Sequence, residues 1–141
     1  MKKILKTVIL VVLVLALIVA GAWYYIMHMP EKSMAKQSPD FVIEAAELAA
    51  EYENAPTASD KKYIDRVVEV SGIVADISHD QNDQTVIILR DEQSLTGVLC
   101  TLDEKQEKAA AGIAVGDRIT LKGTCTGMLF EVVLNRCILI K

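Results

Sequence analysis

The hydrophobic pattern divides the chain into stretches of different period. From Thr7 to Ile26 there are 20 residues without a charge, dominated by Leu, Val and Ile. At 1.5 Å rise per residue, such a helix spans about 30 Å, the thickness of a bilayer's hydrocarbon core. Trp23, Tyr24 and Tyr25 close the run, where an aromatic belt would sit. Pro30 to Ser38 is polar and reads as a short stalk. From Pro39 to Asn54 the period becomes helical: Phe41, Ala45, Leu48 and Tyr52 form one apolar stripe, with Glu44, Glu47, Glu51 and Glu53 largely off it. Ser38 or Asp40 is placed to cap this helix, and Pro39 is tolerated in its first turn. It is expected to pack on the domain; a partner-binding helix is the alternative. Pro56 ends it, and Ser59 is placed to cap a short turn leading to Tyr63.

After Tyr63 the pattern turns extended. Val67–Ser78 is a long strand whose central Gly72 suggests a bulge or bend. His79–Gln84 is a polar turn, and Thr85–Arg90 is a strand apolar enough to be covered on both faces. Asp91–Ser94 turns into a third strand, Thr96–Leu102. Asp103–Ala111 returns to helix-forming residues, with Gly112 as the stop. Val115–Thr126 is a fourth strand, with Ile119, Leu121 and Cys125 on one face. Gly127 and Met128 make a turn. Phe130–Ile140 is a fifth strand, with Phe130, Val132, Leu134, Ile138 and Ile140 in phase, so Phe130 is expected in the core. Three strands, a helix and two strands, with a glycine bend in the first, predict a mainly β chain: a five-stranded Greek-key OB-fold barrel (β-β-β-α-β-β), preceded by a helix and a transmembrane helix. A small open sheet backed by two helices is the rival. The domains expected are an anchor over 1–29, a stalk and packing helix over 30–62, and the barrel over 63–141.

Composition and charge refine this picture. The apolar content is 52%, and the excess sits in the first 29 residues. Residues 30–60 carry two lysines against seven acids, and residues 61–141 carry ten basic against twelve acidic side chains. A polyanion partner usually demands a basic stripe, and none follows the first helix. Lys2, Lys3 and Lys6 before the apolar run, against Lys32 and Lys36 after it, favour a cytoplasmic N-terminus, placing the domain outside the cytoplasm, in the periplasm. Ala20-Gly21-Ala22 offers the alternative of a cleaved secretory signal, which would release the domain as a secreted protein. No cysteine stands where a lipid-modified N-terminus would require one.

The runs VEVSGIVADIS, VIIL, GVLCTL, VGDRITLKGTCTG and VVLNRCILI resemble the bacterial OB-fold proteins called tRNA_anti-like. The resemblance covers roughly residues 41–141 and is carried by Tyr63, Gly72, Cys100, Gly116-Asp117, Gly123, Cys125 and Cys137. Most of these are structural positions. The resemblance implies the barrel fold and an N-terminal anchor or signal; its name implies a distant likeness to anticodon-binding domains, with no catalytic residue to carry over.

Candidate chemistry is sparse. OB barrels that bind single strands stack bases on exposed aromatics in a positive groove. Beyond residue 60 the only aromatics are Tyr63 and Phe130, so nucleic acid is disfavoured as a partner. Cys100, Cys125 and Cys137 fall on three strands; they are small buried hydrophobes, or two of them form a disulfide. The phase of Cys137 disfavours a bridge to Cys125 unless a bulge intervenes. No zinc set accompanies them. Asp76–Asp83 is rich in oxygen donors but lacks the calcium-loop spacing, and Asp, Asn and Ser are ordinary turn formers. His28 lies at the membrane boundary. No cofactor and no metal are expected, and no enzyme motif is present. The expected function is a membrane-anchored, extracytoplasmic, non-enzymatic binding module for a small ligand or an envelope protein. Its working face is the second and third strands, flanked by His79–Gln84 and Thr126–Leu129, with His79, Arg90, Lys122, Met128 and Arg136 as candidate ligand-facing residues. A structural or assembly subunit of an envelope complex is the alternative, and single-stranded nucleic-acid binding ranks below both.

Overall fold

The computed structural model describes residues 1–29 and 33–140. Its first element, α1 (Lys2–Met27), is an uninterrupted helix with no buried residue. By length and composition it can cross a membrane. It forms one unit with the few residues after it. Ser33 onward forms a second unit, and Pro30–Lys32 of the expected stalk lie outside the described residues.

The second unit is a closed five-stranded barrel with one added strand. Its elements are β1 (Phe41–Glu44), α2 (Ala45–Asn54), α3 (Pro56–Tyr63), β2 (Val67–His79), β3 (Thr85–Leu89), β4 (Val98–Leu102), α4 (Glu107–Ala110), β5 (Arg118–Met128) and β6 (Val132–Leu139). The sheet order is β1-β2-β3-β4-β6-β5, and the pairing of β2 with β5 closes the ring. The added strand β1 runs parallel to β2, Phe41 opposite Val68 and Glu44 opposite Ser71. The barrel interior is filled by Val68, Val70, Val74, Ile87, Leu89, Val98, Leu121 and Leu134, with all three cysteines among them.

The helix expected from Pro39 starts later, because residues 41–44 alternate. Phe41 and Ile43 are half-buried while Val42 and Glu44 are exposed. That two-residue period suits an edge strand better than a helix face. Asp40 locks the strand in place: its N–H donates to the Val67 carbonyl, and its carboxylate accepts from the Val67 N–H at 3.0 Å. Ala45, Leu48 and Tyr52 do line the buried side of α2, and Phe41 packs edge-on to Tyr63 at 4.9 Å. A second helix, α3, replaces the expected short turn. Pro56 opens it, where a missing N–H costs nothing, and Ser59 donates its hydroxyl to the Glu51 carbonyl instead of capping. At the other end of the barrel the expected helix 103–111 is a 3-10 turn (Glu104–Gln106) followed by the single turn α4, which inserts Ala110 into the core.

Glycines and bulges set which residues face inward. Gly72 is not the bulge: the register of β2 against β3 slips between Val74 and Asp76. Gly72 instead lets α2 approach, since a Cβ there would meet the Ala45 methyl at 3.0 Å and Leu89 Cβ at 3.3 Å. In β6 the register against β5 slips where Gly123 faces two residues, Arg136 and Cys137. Arg136 takes a φ of 55° there. This bulge reverses the phase of β6: Val132 and Leu134 point inward, then Cys137 does, while Ile138 turns outward. A side chain at Gly123 would collide with the Cys137 sulfur at 2.5 Å. Phe130 is a clear correction. It lies outside β6, in the hairpin turn, and is 93% exposed. The turn falls two residues later than expected because β5 continues through Met128.

Candidate functional site

The pleat sends alternate residues of β3, β4 and β6 outward. Ile87, Leu89, Val98, Cys100 and Leu134 fill the interior. Ile88, Leu99 and Val133, in register across three neighbouring strands, therefore face out. They are half-buried. One end of this aliphatic row is rimmed by two loops. Loop 90–97 carries Leu95, 93% exposed, and the β5–β6 turn carries Leu129 and Phe130, 86% and 93% exposed. The loops are tied together: the Val132 N–H donates to the Gly97 carbonyl at 3.1 Å, and Arg90 stands 3.9 Å from Glu131. Gly97 is required here, since a Cβ would sit 2.8 Å from the Leu89 carbonyl oxygen. Beside the turn lies a recess of about 310 Å³, bordered by Asp60, Ile64, Gly127, Met128, Leu129 and Val133.

The two plugged ends of the barrel are polar but internally satisfied. At the α2–α3 end, Tyr63 donates its hydroxyl to Glu51 at 2.7 Å, and the Lys62 ammonium lies 3.1 Å from the same oxygen and 4.7 Å from the Tyr63 ring centroid. The Tyr63 hydroxyl, with Lys62, holds the Glu51 carboxyl below its ordinary range, while burial pushes Tyr63 up. Tyr52 stands 3.5 Å from the Cys125 sulfur, and burial raises its phenol. At the α4 end, Glu107 accepts the Thr85 hydroxyl at 2.6 Å and the Thr85 N–H at 3.0 Å, and this pairing lowers its carboxyl. These groups pin helices to the barrel, and their polar atoms are spent on each other.

The residues expected to face a ligand are dispersed. His79 ends β2 at the α4 end, 3.5 Å from the Thr85 hydroxyl. Arg90 belongs to the tied loops at the other end. Met128 is half-buried beside the recess. Arg136 occupies the β6 bulge. Lys122 is only 6% exposed and donates to the Gln37 carbonyl at 2.7 Å. There it faces a 3-10 turn, Met34–Lys36, whose Met34 packs with Val67 and Ile138. The distal part of the expected stalk is thus docked on the barrel. Cys100, Cys125 and Cys137 are buried free thiols, and burial lifts Cys137 well above the ordinary thiol range. In the loop after His79, the Asp80 carboxylate accepts the N–H groups of Asn82 and Gln84, closing the turn. Among the described residues no cluster of three His, Cys, Asp or Glu side chains converges on a metal position. The sequence points to the second and third strands and the Thr126–Leu129 loop, but not to Ile88, Leu99, Val133 or Leu95 as the side chains that face out. The run TVIILR looks doubly buried, and Leu-Phe has no turn signature.

The sequence matches the family described as tRNA_anti-like over residues 1–139. No curated protein matches it. Among solved structures it is similar to a lipoprotein of Klebsiella pneumoniae described as a proposed nucleic-acid binder, at 16% identity and a TM-score of 0.59, covering 80% of this chain and 100% of that one. It also aligns with the Stn1–Ten1 complex of S. pombe, at 17% identity and a TM-score of 0.43, covering 53% of this chain and 58% of that one. At these identities the likeness to the first concerns the fold.

Proposed function

This chain belongs to the tRNA_anti-like family, and on that premise we propose that it is a membrane-anchored, extracytoplasmic, non-enzymatic binding module. Its working surface is the outer wall of β3, β4 and β6, which takes an apolar segment of an envelope protein or a small apolar ligand. The observation that carries this reading is the register of Ile88, Leu99 and Val133 beside the exposed Leu95, Leu129 and Phe130. Contiguous apolar surface with a polar rim is the signature of an interaction site. The helix α1 supplies the anchor, and the lysines before it favour a cytoplasmic N-terminus. The experiment is photo-crosslinking in native membranes from a reactive side chain at position 99, with position 82 as control. Adducts to one protein or ligand from 99 alone support the reading; equal or no adducts from both oppose it.

A second reading, single-stranded nucleic-acid binding, draws support from Phe130, an exposed ring of the kind that stacks bases, and from the description of the Klebsiella protein. Charge weighs against it: Arg90 stands beside Glu131, and Lys122 is buried. Filter binding of single-stranded RNA and DNA at low salt decides between them. Micromolar binding that weakens steeply with salt would favour nucleic acid.

A further inference from the structure

We propose that the free edge of β1 is a second docking surface, which takes an extended segment of another protein as an added strand, with basic side chains flanking an apolar one. It involves neither the open wall of β3, β4 and β6 nor α1, so it stands independently of the reading above. The hydrogen-bond phase shows which groups of β1 are free. Along β2, Val74 donates to the Asp117 carbonyl and accepts from the Gly116 N–H, on the β5 side. One residue earlier the Ile73 carbonyl accepts from Arg90, and Val67 bonds Asp40, on the opposite side. Alternation along the strand therefore turns Glu69 and Ser71 toward β1. In a parallel pair, a bonding residue reaches the two neighbours of the residue opposite it. Phe41 lies opposite Val68 and Ile43 opposite Val70, so Phe41 and Ile43 supply the bonds to β2. The N–H and C=O of Val42 and the N–H of Glu44 point the other way. Among the described residues β1 pairs with no strand but β2, and no turn or side chain bonds the Val42 amide or carbonyl.

Unpaired edges are templates for a further strand, and folds that avoid one blunt them with proline, lysine or a bulge. Strand β1 has none of these: its sequence is FVIE, its register with β2 is unbroken, and Val42 is 70% exposed. The edge is also pre-set. Asp40 ties its start to Val67 at 3.0 Å, and α2 follows its last residue directly. Docking therefore orders only the incoming segment. In such strand addition the backbone bonds hold the segment and alternate side chains select it.

Charge identifies the partner. Asp40, Val42 and Glu44 are exposed on one face of the edge, and Phe41 and Ile43 are half-buried on the other. Glu44 shares Arg118 at 2.6 Å, and Asp40 has no cation partner among the described residues. Opposite charges directly across a strand pair are favourable, and like charges are not. The segment that fits carries Lys or Arg opposite Asp40 and Glu44, a β-branched residue opposite Val42, and apolar residues beside Phe41 and Ile43. A second copy of this chain fits poorly, because antiparallel pairing about Val42 sets Asp40 of one chain against Glu44 of the other.

The test uses the full chain in a non-ionic detergent and two end-capped fluorescent peptides, Lys-Ile-Val-Ile-Lys and Glu-Ile-Val-Ile-Glu. The expected result is saturable binding of the basic peptide, at least about fivefold tighter than the acidic one. Val42→Pro removes an edge N–H and leaves the bonds to β2 in place. It should keep the wild-type urea midpoint and lose the basic peptide, whereas Ile43→Pro removes a bond to β2 and should lower the midpoint. Val42→Lys keeps every backbone group and should weaken the basic peptide by repulsion. A midpoint lowered as much by Val42→Pro as by Ile43→Pro overturns the proposal, because the Val42 N–H then belongs to the pairing with β2. A basic peptide that binds no tighter than the acidic one, or as well to both Val42 variants as to the wild type, also overturns it. So does a dimer in detergent that Val42→Pro dissociates, because the edge is then taken by a second copy.

Discussion

On one side of the barrel Val67, Lys122 and Ile138 face outward and are covered by Met34 and the Gln37 carbonyl. On the other side Ile88, Leu99 and Val133 face outward and stay half-open. Both patches are largely apolar, yet among the described residues only the first is covered by another segment of its own unit. Apolar surface that a fold covers itself is part of its stability; apolar surface left uncovered is available to something else. Substitutions should therefore separate the patches, costing stability on the covered side and binding on the open side.

The largest effect is expected where the faces of β6 are assigned. Gly123→Val drives a side chain into the Cys137 sulfur and the Asn135 carbonyl oxygen, 2.5 and 2.9 Å from the position of its Cβ. Overpacking there should cost about 3 kcal/mol or more, measured as a fall in the urea midpoint, and a small effect would show that the bulge is soft. Next, Met34→Ala empties a site 3% exposed and should cost about 2 kcal/mol; an unchanged midpoint would mean the 33–37 segment is not docked in solution. Lys122→Met keeps the stem but removes the ammonium's hydrogen bond to the Gln37 carbonyl, for a loss of about 1 kcal/mol.

Acid should act more mildly. Glu51 and Glu107 are depressed below their ordinary 4.5 by hydrogen bonds that exist only when folded. Their stabilisation is fully present above that value and is lost as pH falls through the lower folded values. Melting curves should therefore drop below about pH 4.5, with a shallower drop in Glu107→Gln. The smallest change in stability, within about 0.5 kcal/mol, is expected for Phe130→Ser, which should nonetheless abolish whatever the open patch binds. A large destabilisation by Phe130→Ser would return that ring to the core and erase the contrast.

Strand order, the barrel and the apolar leader were legible in the sequence because period and length carry them directly. The β1 strand was hidden because Phe41, Ala45, Leu48 and Tyr52 satisfy a helical stripe regardless of how residues 41–44 pair; the long-range pairing with Val68–Ser71 and the Asp40–Val67 bonds decide it. The inward turn of Cys137 depends on a bulge opposite Gly123, and no local propensity encodes such a slip. The open patch was obscured for a different reason. TVIILR is equally compatible with full burial, and whether a third layer covers Ile88 is a property of the assembled wall. Lys122 looked like surface charge because a lysine is rarely placed to hold down its own chain.

The three thiols sealed inside the wall have a practical consequence. An alkylating reagent reaches them only when strands part, because the closed wall excludes it and burial keeps the Cys137 thiol protonated. Labelling under native conditions thus becomes a stopwatch for opening, one that needs no engineered probe. Since Cys137 sits behind Gly123 while Cys125 lies against Tyr52, the order in which they are tagged would tell which seam of the barrel gives way first.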